Sequence, residues 1–490
     1  MELEKHFSFY RKNIIGIDKT FTSPYGEKKI IYTDWTASGR LYQPLEDVFI
    51  KNFYPFVANT HTETTQTGSS MTVAYHKAQE IIKKHVNASS NEVLITCDSG
   101  MTGAINKFQR ILGLRIHEKY KNKVSIAEKD IPIVFVTHME HHSNQTSWLE
   151  TIAEVVVINP NQEGLVDLNH LKLLLEKYKN RTTKIAAITS CSNVTGIFTP
   201  YHEIAAIMHQ NNGLCFVDFA CSAPYININM NPENSDEKLD AIYFSPHKFL
   251  GGPGSSGVLI FDSKLYTNKI PDNPGGGTVE WTNPWGEHAY VSNIEAREDG
   301  GTPGFLQTIR TALCIQLKDS MGVDNILKRE HELIDIIWDE LKAIPNLHIL
   351  ANNIKNRLSI ISFYVDDLHY NLAVKLLNDR FGIQTRGGCS CAGTYGHYLL
   401  NVDKDFSHSI TSEISCGILD KKPGWVRLSL HPTSSNEELD FVIHAIKQMC
   451  QNHVEWSKEY HYDSKTNEYT HLNENKDILY KEVSSWFNYL

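Results

Sequence analysis

Lys248 stands in Ser245-Pro246-His247-Lys248-Phe249-Leu250-Gly251-Gly252-Pro253-Gly254, between two short apolar runs at 241–244 and 257–261 that predict strands. A lysine is almost never buried unless it is paired or chemically used. Desolvation disfavours its charged form, so it can serve as an amine nucleophile, the usual chemistry of a Schiff-base lysine. A solvated loop lysine is the plainer reading of any single example, and the surrounding chain argues against it. Asp218 closes another apolar run at 214–217, where a carboxylate needs a cation or donors to stay ionised. A third reactive stretch is Thr385-Arg386-Gly387-Gly388-Cys389-Ser390-Cys391-Ala392-Gly393. Its two cysteines lie in a glycine-rich polar loop, expected to be mobile and accessible, and a cysteine exposed near cations is partly thiolate.

Two further clusters carry chemistry or its imitation. Asp98-Ser99-Gly100-Met101-Thr102-Gly103 joins a strand-like run at 92–97 to helical spacing at 104–112. Free N–H groups and the dipole make such a helix start an anion site; an ordinary cap by Asp98 or Ser99 is the alternative. Thr137-His138-Met139-Glu140-His141-His142-Ser143-Asn144 invites a metal reading. It lacks the i, i+4 spacing of a helical zinc pair, and no Cys or His group follows at ligand spacing, so no metal is expected.

The elements that must position these residues alternate strand and helix, which predicts a doubly wound, mainly parallel sheet with ligand groups at strand ends. Apolar spacing predicts a helix at 71–87 and a long helical region at 305–341. Beyond it, strands at 357–364 and 424–429, a helix at 369–380 and a capping box Ser435-x-x-Glu438 read as a smaller α+β unit. The 490 residues allow two or three domains. A net charge of -10 with no basic cluster argues against nucleic acid. The nine scattered cysteines fit a reducing compartment, and neither a signal peptide nor a membrane-length apolar run is visible, so a cytoplasmic location with no membrane partner is expected.

Taken in order from about Tyr32 to Gln448, these stretches resemble the class V aminotransferase family, nearest its cysteine desulfurase/selenocysteine lyase branch. The resemblance implies PLP fold type I: an N-terminal arm (1–31), a large pyridoxal-phosphate-binding domain (32–305), a small α+β domain (306–458) and a C-terminal tail (459–490) expected to pack on the surface. It implies that Lys248 carries pyridoxal 5'-phosphate, that Asp218 keeps the pyridine nitrogen protonated, and that His141 stacks on the ring with Ala220 against it. Asn193 then meets the phenolic oxygen, while Met101, Thr102, Ser245 and His247 belong to the cofactor site.

Arg297-Glu298-Asp299-Gly300-Gly301-Thr302-Pro303 resembles the family's R-x-E-x-G-T-P segment, with Asp299 in place of glutamate. It implies that Thr302 reaches the phosphate of a partner subunit, hence a homodimer with shared sites. Arg427 and Arg386 are implied to hold the carboxylate of a small amino acid, with His61 and Ala37 beside it. Cys391 is implied to be the persulfide-forming nucleophile that takes sulfur from L-cysteine and releases alanine. Cys389 is extra, Cys221 stands where many desulfurases carry glutamine, and the segment 392–426 is longer than in that branch. The rivals are a class V aminotransferase, epimerase or β-lyase without a persulfide, and more remotely an inactive sulfur-carrier or partner-binding scaffold. An active desulfurase further implies a sulfur-acceptor protein.

Overall fold

Runs of Val, Ile, Leu and Phe form one seven-stranded sheet in the computed structural model, which describes residues 2–60, 62–121, 123–420, 422–474 and 476–488. The strands are β1 (Glu92–Cys97), β2 (Ile133–Thr137), β3 (Glu154–Ile158), β4 (Lys184–Thr189), β5 (Leu214–Asp218), β6 (Ala241–Phe244) and β7 (Gly257–Asp262). Their spatial order is β1-β7-β6-β5-β4-β2-β3, parallel from β6 to β3, with β7 antiparallel to both neighbours. Alternate side chains enter two cores: Ile133, Phe135, Ala186 and Val217 on one face, Val134, Val136, Ile185 and Phe216 on the other. Burial on both faces explains why these strands read as continuous apolar runs.

Helices α1 (Gln66–His85), α2 (Gly100–Ile111), α3 (His142–Leu149), α4 (Leu168–Lys177) and α5 (Tyr201–Gln210) flank the sheet. The segments that follow β1, β2, β4, β5 and β6 emerge at one edge, where an open α/β sheet places its ligands. The helical region at 305–341 is two helices, α6 (Phe305–Met321) and α7 (Val323–Lys342), broken at Gly322 with φ 78°. A positive φ suits only glycine well, so one residue converts a continuous periodic pattern into a hinge between two units. The glycine-rich stretch at 271–285 holds the strand Val279–Thr282, paired with His288–Tyr290.

The smaller sheet comprises β8 (Leu347–Ile349), β9 (Ile360–Val365), β10 (Arg386–Gly388) and β11 (Trp425–Ser429), in the antiparallel order β8-β9-β11-β10. Helix α7, with α8 (Tyr370–Phe381), covers it through Leu333, Ile337, Leu376 and Leu377. Helices α9 (Gly393–Leu399) and α10 (Lys404–Ser415) fill the long segment after Cys391, and α11 (Asn436–Trp456) completes the small core. Ser435 caps α11 by accepting the Glu438 N–H at 3.2 Å. The capping box is half made: Glu438 turns away to Arg11 of the N-terminal helix Glu2–Arg11, at 2.9 and 3.0 Å.

The N-terminal segment is tied in at several points. Phe7, Tyr10 and Ile14 join the large core, and Ile31–Tyr32 pairs in parallel with Ile383–Gln384 of the small unit. At the other end, the hairpin Tyr460–Asp463/Glu468–His471 packs on α8, with Tyr460 donating to Asp379 at 3.1 Å and Asn467 to Tyr370 at 2.7 Å. The following helix Lys476–Ser485 exposes Ile478, Leu479 and Tyr480. Among the described residues no helix is long and apolar enough to cross a membrane.

Candidate active site

At the sheet edge lies a cavity of about 210 Å³ whose wall includes Lys248, Asp218, Cys221, His141, Arg427 and Cys391. Thus the large sheet, the turn after Tyr32 and the cysteine loop of the small unit meet around one space. Met101, Thr102, Ser245, His247, Asn193, Ala220, Arg386 and Ala37 also line it. Two of the anticipated residues stand apart. His61 lies outside the described residues, and Thr302 is exposed and does not line the cavity of its own chain.

Lys248 follows β6 in the short turn Pro246–Lys248. Burial lowers its ammonium pKa below the usual lysine range, opposed by the charges of Cys221 and Asp218. Asp218 ends β5, and burial raises its pKa to about 6 against the Ala220 N–H, which donates to it at 2.8 Å, and the Lys248 charge. A neighbouring cation would reverse that rise. His141 caps α3, its Nδ1 accepting the Ser143 N–H at 3.1 Å, which leaves the ring proton on Nε2. Burial, then the charges of Lys248, His142 and Arg427, bring it down to about 3, so this imidazole is neutral at physiological pH.

The turn after β1 opens helix α2 at the cavity wall. Ser99 occupies the N-cap position of α2 at φ 63° and makes no side-chain cap, so the capping expected of Asp98 or Ser99 is not made by Ser99. Instead Met101 N–H donates to Ser245 Oγ at 2.8 Å, and the Thr102 and Ser143 hydroxyls lie 2.7 Å apart. Gly257, at the start of β7, has no room for a Cβ, which would overlap the Gly100 carbonyl oxygen.

Opposite, Asp34 bridges both arginines. Arg427 donates from Nη2 to Oδ1 at 2.7 Å, and Arg386 from Nε to Oδ2 at 3.0 Å. Arg427 also donates from Nη1 to the Asn193 carbonyl at 3.1 Å. Asp34 was not anticipated as a site residue; its one sequence signal is an acid inside an otherwise uncharged turn, Thr33-Asp34-Trp35-Thr36-Ala37-Ser38-Gly39. Three buried polar atoms of lining residues lack partners among the described residues: Thr36 Oγ1, His247 Nε2 and Arg427 Nε. Buried polar groups are normally paired, so this set belongs to a site that receives a polar ligand.

Cys391 is exposed and lines the cavity, whereas Cys389 is half-buried against the large core. Hydrogen bonds tie the loop on two sides: Asn193 donates to the Ser390 carbonyl at 2.8 Å, and His142 N–H to the Cys391 carbonyl at 2.7 Å. Asn193 therefore uses its amide on the loop. Cys191 and Cys221, both buried in the wall, share the Ser192 carbonyl at 3.8 and 3.6 Å. The three histidines after β2 diverge: His138 bonds the Gly164 carbonyl at 3.1 Å, His141 caps its helix and His142 accepts from Gly393 at 2.9 Å. Among the described residues, no group of three or more His, Cys, Asp or Glu could hold a metal ion.

Comparison with known proteins accords with this arrangement. The aminotransferase class-V family model matches residues 31–442, and the chain belongs to that family, whose enzymes depend on pyridoxal phosphate. A probable cysteine desulfurase of Halalkalibacterium halodurans is 28% identical over 372 residues, 74% of this chain and 84% of the relative. One from Staphylococcus aureus is 27% identical over 426 residues, 86% of this chain and 92% of the relative. Among solved structures, the apo cysteine desulfurase of Thermococcus onnurineus superposes with a TM-score of 0.71 at 21% identity, over 91% of this chain and 98% of that one. The Escherichia coli cysteine desulfurase CsdA gives 0.69 at 20% identity, with the same coverage. The fold is that of these enzymes, α/β with a mainly parallel central sheet: PLP fold type I.

Proposed function

We propose that the chain is a pyridoxal-phosphate-dependent cysteine desulfurase that takes sulfur from L-cysteine onto Cys391 and releases alanine. The observation that carries this reading is that Cys391 and Lys248, 143 residues apart in sequence, line one cavity (391 − 248 = 143). The names of the relatives support it.

The residues present fit pyridoxal phosphate. The uncapped start of α2, with Thr102 and Ser143, offers donors for a phosphate. Asp218 is a carboxylate in need of a cation, which a protonated pyridine nitrogen supplies, and Lys248 is an amine that burial biases towards its neutral, nucleophilic form. The unpartnered His247 Nε2 is a further polar contact for the group. When bound, the cofactor supplies an electron sink for charge developing at the substrate Cα.

The protein's own groups do the rest. Arg427 and Arg386 bind the substrate carboxylate, and Asp34 orients both guanidinium groups before substrate arrives. The Lys248 amine removes the proton at Cα and redelivers protons to the product. His141, neutral with its ring proton on Nε2, would lie against a bound ring without adding a competing positive charge. The Cys391 thiolate attacks the substrate sulfur: a new S–S bond forms as the substrate C–S bond breaks, and the electron pair left on carbon takes a proton on the way to alanine. Sulfur leaves the enzyme when a reductant or an acceptor protein takes it from the persulfide.

The proposed assembly is a homodimer in which Thr302 serves the partner's phosphate site, and the proposed domain limits are 32–305 and 306–458, flanked by the arm and tail. All nine cysteines are free thiols, which supports a reducing, cytoplasmic location. The test is product analysis with L-cysteine and a reductant. Sulfide and alanine in equal amounts, lost in Cys391→Ala and retained in Cys389→Ala, are expected. Cofactor-loaded protein that turns over other amino donors but not cysteine would overturn the desulfurase reading and favour a class V reaction without a persulfide.

A further inference from the structure

The backbone at Cys391 is one that its side chain disfavours. Ser390 has φ 50° and Cys391 φ 56°, two successive non-glycine residues in the left-handed region. Such a turn persists only where its surroundings hold it. Two hydrogen bonds anchor its Ser390 side: Asn193 donates to the Ser390 carbonyl at 2.8 Å, and Trp425 Nε1 to Ser390 Oγ at 3.2 Å. On the far side a single residue makes two contacts, one at the cysteine's own carbonyl and one two residues on, that bracket Ala392. His142 N–H donates to the Cys391 carbonyl at 2.7 Å, and His142 Nε2 accepts the Gly393 N–H at 2.9 Å.

His142 does not line the cavity. It is the first residue of α3, so the Cys391 carbonyl takes one of the N–H groups that a helix start leaves without an intrahelical partner. Gly393 is the first residue of α9, and the His142 ring takes one of that helix's free N–H groups in turn. An added Cβ at residue 393 would stand 3.2 Å from His142 Nε2, so the ring would have to give by a few tenths of an ångström. Two helix starts, one from each unit of the fold, are thereby clasped just after the cysteine. Half-burial and the nearby charge of Lys422 lower the pKa of His142, which keeps Nε2 free to accept.

We infer that His142 is a positioning residue, a latch that holds the left-handed turn at Cys391 so that the sulfur is presented to the cavity. Its consequence for turnover rests on the reading of Cys391 as the sulfur acceptor, whereas the latch itself is a property of the loop and is tested without turnover.

The experiment is the iodoacetamide alkylation rate of Cys391 in the cofactor-loaded protein, read peptide by peptide by mass spectrometry in wild type, His142→Leu and His142→Gln. Exposed Cys416 serves as the internal reference and buried Cys215 as a reporter of unfolding. With the acceptor gone, Cys391 in His142→Leu should be alkylated about tenfold faster, the equivalent of one lost hydrogen bond. His142→Gln, whose amide oxygen can accept in the same place, should stay within about twofold of wild type. An unchanged rate in His142→Leu overturns the latch, as does a rate in His142→Gln equal to that in His142→Leu. If Cys215 labels in His142→Leu, amide hydrogen exchange on the wild-type protein decides. Gly393 must exchange more slowly than Thr394, the next amide of the same first turn, and equal rates overturn the latch.

Discussion

At the scale of the residue, the site is governed by two carboxylates with opposite tasks. Asp34 already holds two guanidinium groups, and in the proposed reading it aims them at the substrate carboxylate. Asp34→Asn should lose one charge-assisted bond to each arginine, worth about 1.5 kcal/mol or more. The expected outcome is a KM for L-cysteine raised about tenfold with a smaller change in kcat, read from steady-state sulfide release. Asp218 makes no such guanidinium pair among the described residues, and burial, only partly offset by the Ala220 N–H and the Lys248 charge, raises its pKa from the ordinary 3.8 to about 6. An acid raised in the folded state holds its proton more tightly there than in the unfolded chain. Its ionisation therefore costs stability as pH climbs above 3.8, with the whole cost, on the order of 3 kcal/mol, present above about 6. Cofactor-free Asp218→Asn should accordingly melt above cofactor-free wild type at pH 7.5, and the gap should close as pH falls from 6 towards 4. The same variant should bind pyridoxal phosphate more weakly, since the neutral amide cannot pair with a protonated ring nitrogen.

At the scale of the element, the proposed phosphate site depends on how closely β7 approaches the start of α2. Gly257→Ala would drive a methyl group into the Gly100 carbonyl, so the strand or the helix start must shift. A lowered melting temperature together with a pyridoxal-phosphate dissociation constant raised at least about tenfold is expected from titration followed by cofactor absorbance. The elements themselves were largely legible: buried strands in a parallel sheet advertise themselves as apolar runs, and the residues that follow them must gather at one edge. The break at Gly322 was not, because apolar periodicity continues across it and only the backbone torsion reveals the turn. The role of Glu438 was misjudged for a related reason, since a capping box is a local pattern and Arg11 is a distant competitor. Asp34 and His142 were missed because each works through a partner about 250 residues or more away, a relation no local spacing records.

At the scale of the whole molecule, the proposed chemistry draws on three segments far apart in sequence that line one cavity: the turn after Tyr32, the sheet edge with Lys248, and the loop with Cys391. The parallel pairing of Ile31–Tyr32 with Ile383–Gln384 and the bridge between Asp34 and Ser429 fix the first of these to the small sheet. The homodimer reading adds a fourth segment from a neighbour. Thr302 does not line its own chain's cavity, yet Thr302→Asp should weaken pyridoxal-phosphate binding about tenfold in protein that sediments at twice the chain mass. Unchanged affinity in a dimer would exclude a shared site.

The central claim is that sulfur passes to Cys391, and mass mapping of the protein after a brief exposure to L-cysteine without reductant tests it most directly. The account predicts one added sulfur atom on the peptide that carries Cys391, placed on that residue by fragmentation, with alanine released in equal amount and no added sulfur on Cys389 in Cys391→Ala. Alanine formed with the added sulfur on another cysteine, or on none, would contradict it.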